Sequence, residues 1–151
     1  MRRIPTDISQ IINGVNNTQN LIFKTDSFAL VIDPTHTTTS DHYCAWSLKQ
    51  RRDLLSLTSD DIPELERLKE KSYKLLNMSD KTHKAFIHFP PSWWQLHIHF
   101  VQNNHFLLCP EEDVHYFDDV IRNLKANTDY YRERVTIGSK SRKSNNPTNK
   151  L

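Results

Sequence analysis

The chain has 151 residues, of which 20 are basic and 18 acidic, and its formal net charge is +2. This length favours one domain that buries a core without metal or disulfide crosslinks. Because only Gly14 and Gly138 are glycines, the glycine-rich phosphate loops of dinucleotide-binding proteins and P-loop enzymes are excluded. Four basic residues lie in 138–151, which leaves 16 basic against 18 acidic residues elsewhere. We therefore expect no binding to a long nucleic acid duplex.

The cysteines and the hydropathy pattern indicate the cellular compartment of the protein. Cys44 and Cys109 are far apart in the sequence and form no CxxC motif, which favours a reducing compartment. No apolar run approaches the ~20 residues of a membrane span, and no apolar segment typical of a signal peptide follows the first residues. We expect a cytoplasmic protein that does not contact membranes, and a nuclear location stays open as well.

In chain order, the hydrophobic pattern predicts a small α+β protein. Apolar residues at helical spacing predict a short helix within 4–15, closed by Gly14. Runs rich in β-branched and aromatic residues predict strands, which cover 21–23, 28–32, 43–48, 85–89, 94–101, 105–109 and 135–137. Helical spacing predicts two main helices, over 58–76 and 114–124. We expect one antiparallel sheet of about five strands packed against the two main helices.

This reading divides the chain into three parts. Residues 1–19 form an N-terminal helical extension, and residues 20–137 form the folded domain. Residues 138–151 are rich in Ser, Asn and Lys and are expected to be a disordered basic tail.

The predicted strand that contains Gln95, His97 and His99 carries the best candidates for chemistry. In a strand these three side chains share one face, and the apolar residues Leu96, Ile98 and Phe100 share the other. Polar groups that face an interior need partners, and a pocket for a polar ligand would supply them. A neutral imidazole can attack phosphorus while a neighbouring imidazolium stabilises the developing charge. The alternative, two partly exposed histidines without a special role, stays open.

Residues near this strand could bind a phosphorylated ligand. The Ser92 hydroxyl could reach a phosphate oxygen, and Trp93 or Trp94 could stack on a base unless both have structural roles. His88 either supports the site or is a buried structural histidine. Several arginines could clamp phosphate or lie solvated at the surface, namely Arg51, Arg52, Arg132 and Arg134.

The histidines of this segment are also potential zinc ligands. His88, His97 and His99 could hold zinc, but no carboxylate or thiolate lies at short sequence spacing to complete the site. We therefore expect no metal and no other cofactor.

Segment 85–100 resembles the signature of the scavenger mRNA decapping enzymes, a branch of the histidine-triad superfamily. The pattern is a His-aromatic-x-Pro-Ser-aromatic-aromatic segment that runs into His-x-His-x-His. Segment 50–57 resembles the stretch before the long helix of the family, and segments 117–124 and 130–134 resemble its C-terminal helix and closing Tyr-x-x-Arg element. The resemblance covers about residues 20–137 and implies the histidine-triad fold.

The resemblance implies a hydrolase that cleaves the triphosphate bridge of cap dinucleotide or short capped RNA and releases methylguanosine monophosphate. His97 would be the nucleophile and form a nucleotidyl-histidine intermediate, and His99 would bind and polarise the phosphate. Gln95, at the position of the first histidine, would donate a hydrogen bond to phosphate or leaving group. The implied substrate-binding residues are His88, Ser92 and Trp93, and we add Arg52 because a guanidinium can clamp phosphate. By analogy the protein would be a homodimer.

Three departures from the family pattern keep other functions open. The N-terminal half of the family has no counterpart here, residues 34–38 lack its cap-side Lys-Trp element, and Gln95 replaces a histidine. The first alternative is a non-catalytic cap-binding or nucleotide-binding module. The second is a histidine-triad hydrolase of another dinucleoside polyphosphate or of nucleoside phosphoramidates.

Overall fold

The computed structural model describes residues 6–14, 20–32, 42–91, 93–104 and 109–133. The helices and strands, in chain order, are α1 (Thr6–Ile12), β1 (Leu21–Lys24), β2 (Phe28–Ile32), β3 (His42–Ser47), α2 (Ile62–Leu75), β4 (His83–His88), β5 (His97–Gln102), β6 (Val114–Tyr116) and α3 (Phe117–Ala126). Among the helices in these ranges, none is long and apolar enough to cross a membrane.

The strands form one sheet in the order β1-β2-β3-β5-β4-β6, and each neighbouring pair is antiparallel. The α+β class is confirmed, and the described sheet has six strands rather than about five. The extra strand is β6, which was predicted as the first turn of a helix. Val114 pairs with His88 of β4 and is therefore in a strand, although its apolar spacing continues that of the helix that follows. The segment predicted as a strand at 135–137 lies outside the described residues, as do residues 105–108 of the strand predicted at 105–109, whose last residue, Cys109, is in a bend.

One face of the sheet packs against α2 and α3. Ile98 and Phe100 of β5 are fully buried there, and they share a hydrophobic core with Leu65, Leu68, Val120 and Leu124 of the two helices. The helix α2 follows a short turn that is capped at Thr58, whose backbone nitrogen donates to the Asp61 carboxylate at 2.9 Å. This core fixes the orientation of the central strand β5.

The opposite face carries the helix α1. Ile8 and Ile11 of α1 are each 1% exposed and pack in a second core cluster with Ala29, Val31, Cys44 and Trp46. The helix predicted within 4–15 is therefore present, and it packs on the sheet. His97 and His99 lie beside this cluster, because their side chains share the face of Cys44 and Trp46.

Candidate active site

Two histidines of β5 lie side by side on the face of the sheet opposite α2 and α3. The ring centroids of His97 and His99 are 4.9 Å apart. In the register of the sheet His97 faces Trp46, and His99 faces Cys44 on one side and Phe86 on the other. His97 is buried, with 4% of its surface exposed, and His99 is half-buried. The shared face predicted for these two histidines is therefore observed.

The ring of His97 is held in one orientation. Its Nδ1 lies 2.8 Å from the backbone carbonyl oxygen of Gln95. Since a carbonyl oxygen can only accept, Nδ1 carries a proton, and in the neutral ring the lone pair is therefore on Nε2. The indole of Trp46 stacks on the ring with centroids 4.2 Å apart and an interplanar angle of 21°. These contacts fix both the tautomer and the ring plane that a nucleophilic imidazole needs.

His99 has a different environment, supplied by β3. Its Nδ1 lies 3.0 Å from Nε2 of His42 and 3.3 Å from Sγ of Cys44, and its ring stacks on Phe86 at 5.0 Å. If the His42 N–H or the Cys44 S–H donates, Nδ1 accepts and the proton of His99 is on Nε2. An Nε2–H group on His99 can donate to a phosphate oxygen.

Sequence reasoning missed His42 and Cys44. They precede His99 by 57 and 55 residues, so no local spacing connects them with it. The available signal was the alternation of His42, Cys44 and Trp46, which places these three side chains on one face of a strand.

His88 completes the group of histidines from the end of β4. Its ring centroid lies 5.5 Å from that of His97 and 5.0 Å from that of His99. Burial lowers the pKa of His88 below its ordinary value of 6.5, which favours the neutral ring. Its Nδ1 lies 3.4 Å from the carbonyl oxygen of Pro90.

The structure corrects the prediction for Gln95, which lies before β5 rather than in it. Its side-chain Nε2 donates to the carbonyl oxygens of Ser47, at 2.6 Å, and Lys49, at 3.0 Å. These carbonyls lie at the last residue of β3 and two residues beyond it, where the side-chain amide extends the pairing that the Ser47 N–H makes with the Leu96 carbonyl. Gln95 therefore serves the site through its backbone, which accepts from His97.

The other predicted binding residues are spread around the site. Trp93 is partly buried against the cluster of α1 and Trp46, and exposed Arg52 places its guanidinium 4.8 Å from the ring centroid of Trp94. Arg51 is paired with Asp61 and Glu64, each at 3.1 Å, and exposed Arg132 lies 3.7 Å from Asp129. Ser92 and Arg134 lie outside the described residues.

Two sets of side chains within the described residues could hold a metal ion. One set is the predicted trio His88, His97 and His99, and the other is His42, Cys44 and His99. Within each set, one ligand atom from every residue lies within 4.8 Å of the others. Short sequence spacing offered no thiolate, but the pairing of β3 with β5 brings Cys44 to His99.

Comparison with known proteins places this site in a family context. Residues 6–115 match a family model described as "Scavenger mRNA decapping enzyme C-term binding". The chain is 32% identical over 97 residues to an m7GpppX diphosphatase from Ascaris suum, and 31% identical over 91 residues to one from Caenorhabditis elegans. The matches cover 59% and 57% of this chain, but only 32% and 28% of those proteins. The chain thus spans about a third of the length of these relatives.

The solved structures show the fold. A histidine-triad protein from Clostridium difficile superposes with a TM-score of 0.54 at 14% identity, covering 73% of this chain and 100% of that one. The expected histidine-triad fold is therefore confirmed.

Proposed function

The chain belongs to the scavenger mRNA decapping enzyme C-terminal family, and on that premise we propose that it hydrolyses the triphosphate bridge of cap dinucleotide or short capped RNA. The observation that carries the proposal is the buried His97, whose Nδ1 is bound to the Gln95 carbonyl and whose ring lies 4.9 Å from that of His99. A lone pair on Nε2 of one ring beside a proton donor on the next suits attack on a phosphoanhydride.

In the proposed first step, Nε2 of His97 attacks the phosphorus next to the methylguanosine. An N–P bond forms and the P–O bond to the leaving nucleoside diphosphate breaks, so that the negative charge moves to the leaving oxygen. The proton of His97 stays on Nδ1, hydrogen-bonded to the Gln95 carbonyl oxygen, and this contact supports the positive charge that the ring acquires. Water then attacks the same phosphorus, so that a P–O bond forms, the N–P bond breaks and one proton of the water passes to solvent. Methylguanosine monophosphate leaves, and the neutral imidazole is regenerated.

His99 and His88 would act on the phosphate rather than form a bond to it. The Nε2–H of His99 would donate to a non-bridging oxygen and stabilise the charge that develops there. In the neutral ring of His88, whose pKa burial holds below its ordinary value, the proton lies on Nδ1 beside the Pro90 carbonyl oxygen, so its Nε2 would accept a hydrogen bond from the attacking water. We assign Ser92 and Trp93 to substrate binding by the family analogy, and Arg52 because a guanidinium can clamp phosphate. A homodimer remains a prediction by analogy, and a cytoplasmic location remains a prediction from the cysteine and hydropathy patterns.

The test is product analysis with the unaltered full chain and with His97→Asn, each given methylated and unmethylated cap dinucleotide side by side. We expect methylguanosine monophosphate from the unaltered chain and a loss of at least about a thousandfold in kcat/KM for His97→Asn, since asparagine cannot form the N–P intermediate. Radioactive phosphorus from the substrate that stays on the protein through an acid-labile N–P bond would identify the intermediate.

The matched control is His115→Asn, which should retain turnover. His115 is on β6, on the helix side of the sheet, where its ring contacts Tyr131 with centroids 5.9 Å apart. Full activity of His97→Asn would remove His97 from the reaction. Nucleotide binding without turnover by the unaltered chain would favour a non-catalytic binding module instead. Turnover of other dinucleoside polyphosphates, with cap dinucleotide untouched, would favour a different histidine-triad hydrolase.

A further inference from the structure

Three potential metal ligands converge on the sheet face between β3 and β5. Nε2 of His42 and Nδ1 of His99 are 3.0 Å apart, and Sγ of Cys44 is 3.3 Å from the same Nδ1. His42 and Cys44 alternate along β3, so their side chains share a face, and Cys44 lies directly opposite His99 in the antiparallel register. Regular strand geometry therefore holds all three groups together.

The spacing of these atoms is close to that around a tetrahedral zinc ion. With Zn–N bonds of about 2.1 Å and Zn–S bonds of about 2.3 Å, ligand nitrogens lie roughly 3.4 Å apart and a nitrogen and a sulfur roughly 3.6 Å apart. The observed separations are shorter by about 0.3–0.4 Å, which small side-chain rotations would supply. The sheet backbone does not have to move.

The chemistry of the set selects a soft or borderline cation. Two imidazoles and a thiolate suit Zn²⁺ rather than Mg²⁺ or Ca²⁺, which prefer oxygen ligands. His42 and Cys44 are buried, with 5% and 2% of their surfaces exposed, and Trp46 and Val31 belong to the same cluster as Cys44. A low-polarity surrounding strengthens the attraction between a thiolate and a divalent cation.

We propose that His42, Cys44 and His99 form a binding site for Zn²⁺, distinct from the nucleophile His97. Binding replaces the S–H bond of Cys44 by a Zn–S bond and releases that proton to solvent. The metal occupies Nδ1 of His99, so the ring keeps its proton on Nε2. Three protein ligands leave the fourth tetrahedral position to water.

The site is tested with Co²⁺ as a spectroscopic probe on the reduced, unaltered full chain. We expect a stoichiometric complex with tetrahedral d–d absorption and an intense near-ultraviolet band from thiolate-to-cobalt charge transfer, both removed by added Zn²⁺. The charge-transfer band requires a cysteine ligand, and it does not depend on any enzymatic activity.

Two variants test the proposed ligands, and two further variants are controls. Cys44→Ser should abolish the charge-transfer band, and His42→Gln should weaken cobalt binding at least tenfold. Cys109→Ser removes the other free cysteine and should leave the band unchanged. His88→Asn disrupts the alternative trio of histidines and should also leave it unchanged.

Several results would overturn the proposal of a Zn²⁺ site at His42, Cys44 and His99. One is the absence of a charge-transfer band in the unaltered chain at excess cobalt, a measurement that needs no variant to fold. Another is a band that persists in Cys44→Ser and disappears in Cys109→Ser. A third is binding that depends on His88 but not on His42, which would place the metal in the other trio.

Discussion

At the scale of single residues, Gln95 joins the start of β5 to the end of β3. Its side chain donates to the carbonyls of Ser47 and Lys49, while its own carbonyl accepts from His97. The glutamine thus lies at the position that the family pattern gives to a histidine, but the described contacts make it a positioning residue. Its amide protons are essential to that role, since both partners are acceptors.

We predict that Gln95→Glu destabilises the fold and slows the proposed reaction. The substitution keeps the shape of the side chain, but a carboxylate cannot donate and would place a negative charge against two carbonyl oxygens. We expect the free energy of unfolding to fall by about 1–3 kcal/mol in urea titrations, and kcat to fall more than KM changes.

The control for this prediction is Gln10→Glu, the same chemical change at an exposed position of α1. It should alter the free energy of unfolding by less than about 0.5 kcal/mol. If Gln95→Glu were as stable as Gln10→Glu, the two hydrogen bonds of the amide would not hold β3 to the residues before β5.

At the scale of elements, the buried apolar side chains of the helix α2 stabilise its packing more than its ion pairs do. Leu68 is fully buried in the main core. The next residue, Lys69, pairs with Asp80 and Asp118 at 3.0 Å each, but the side chains of both acids are about 70% exposed. Exposed ion pairs contribute little because water screens them, whereas a buried leucine contributes its full transfer free energy.

This contrast predicts unequal effects at two adjacent positions of α2. Leu68→Ala should lower the free energy of unfolding by about 2–5 kcal/mol, because it leaves a cavity in the core. Lys69→Met should lower it by less than about 1 kcal/mol, because the methionine keeps most of the apolar stem and removes only the Nζ group, which lies 5.0 Å and 5.5 Å from the ring centroids of Tyr73 and Phe117. Urea unfolding of the two variants in parallel measures both. A larger loss for Lys69→Met than for Leu68→Ala would contradict this account of α2.

At the scale of the whole molecule, the strand and helix patterns were readable from the sequence, while the partners of the strands were not. The runs at 28–32 and 43–48 predicted β2 and β3 almost to the residue, because both faces of these strands are mostly buried. The contact of His99 with Cys44 depends on β3 pairing with β5 across 55 residues. Local spacing carries no information on such a pairing.

The same reason explains the strand β6. Val114, Phe117, Val120, Ile121 and Leu124 repeat at helical spacing, and all but the first lie in α3. Val114 lies in β6, which pairs with β4. If Val114 were in a helical turn instead, the backbone groups along this edge of β4 would lose their hydrogen-bond partners. Tertiary pairing therefore decides the boundary between strand and helix.

Acid stability depends on a contact that also joins distant parts of the chain. Glu64 of α2 accepts from Lys49 at 2.7 Å and from Arg51 at 3.1 Å, which ties the helix to the segment after β3. Burial alone would raise the pKa of Glu64, but hydrogen bonds from Lys49, Ser27 and Arg51 outweigh it and lower that pKa from 4.5 to about 2. Because the folded pKa lies below the unfolded one, the ionised carboxylate stabilises the folded state.

The sign of this shift predicts how stability changes with pH. The stabilisation is fully present above pH 4.5 and is lost as the pH falls through the window down to about 2. Glu64→Gln should therefore be less stable than the unaltered chain near neutral pH, by about 1–2 kcal/mol after allowance for partial solvent screening. The difference should shrink in urea titrations carried out at successively lower pH below 4.5.

Glu66→Gln is the matched control, since Glu66 pairs with Lys125 at 3.1 Å where both side chains are at least half exposed. This substitution should lower the free energy of unfolding by less than about 0.5 kcal/mol near neutral pH. A Glu64→Gln difference that stayed constant on acidification would show that the carboxylate charge does not hold α2 to the segment after β3.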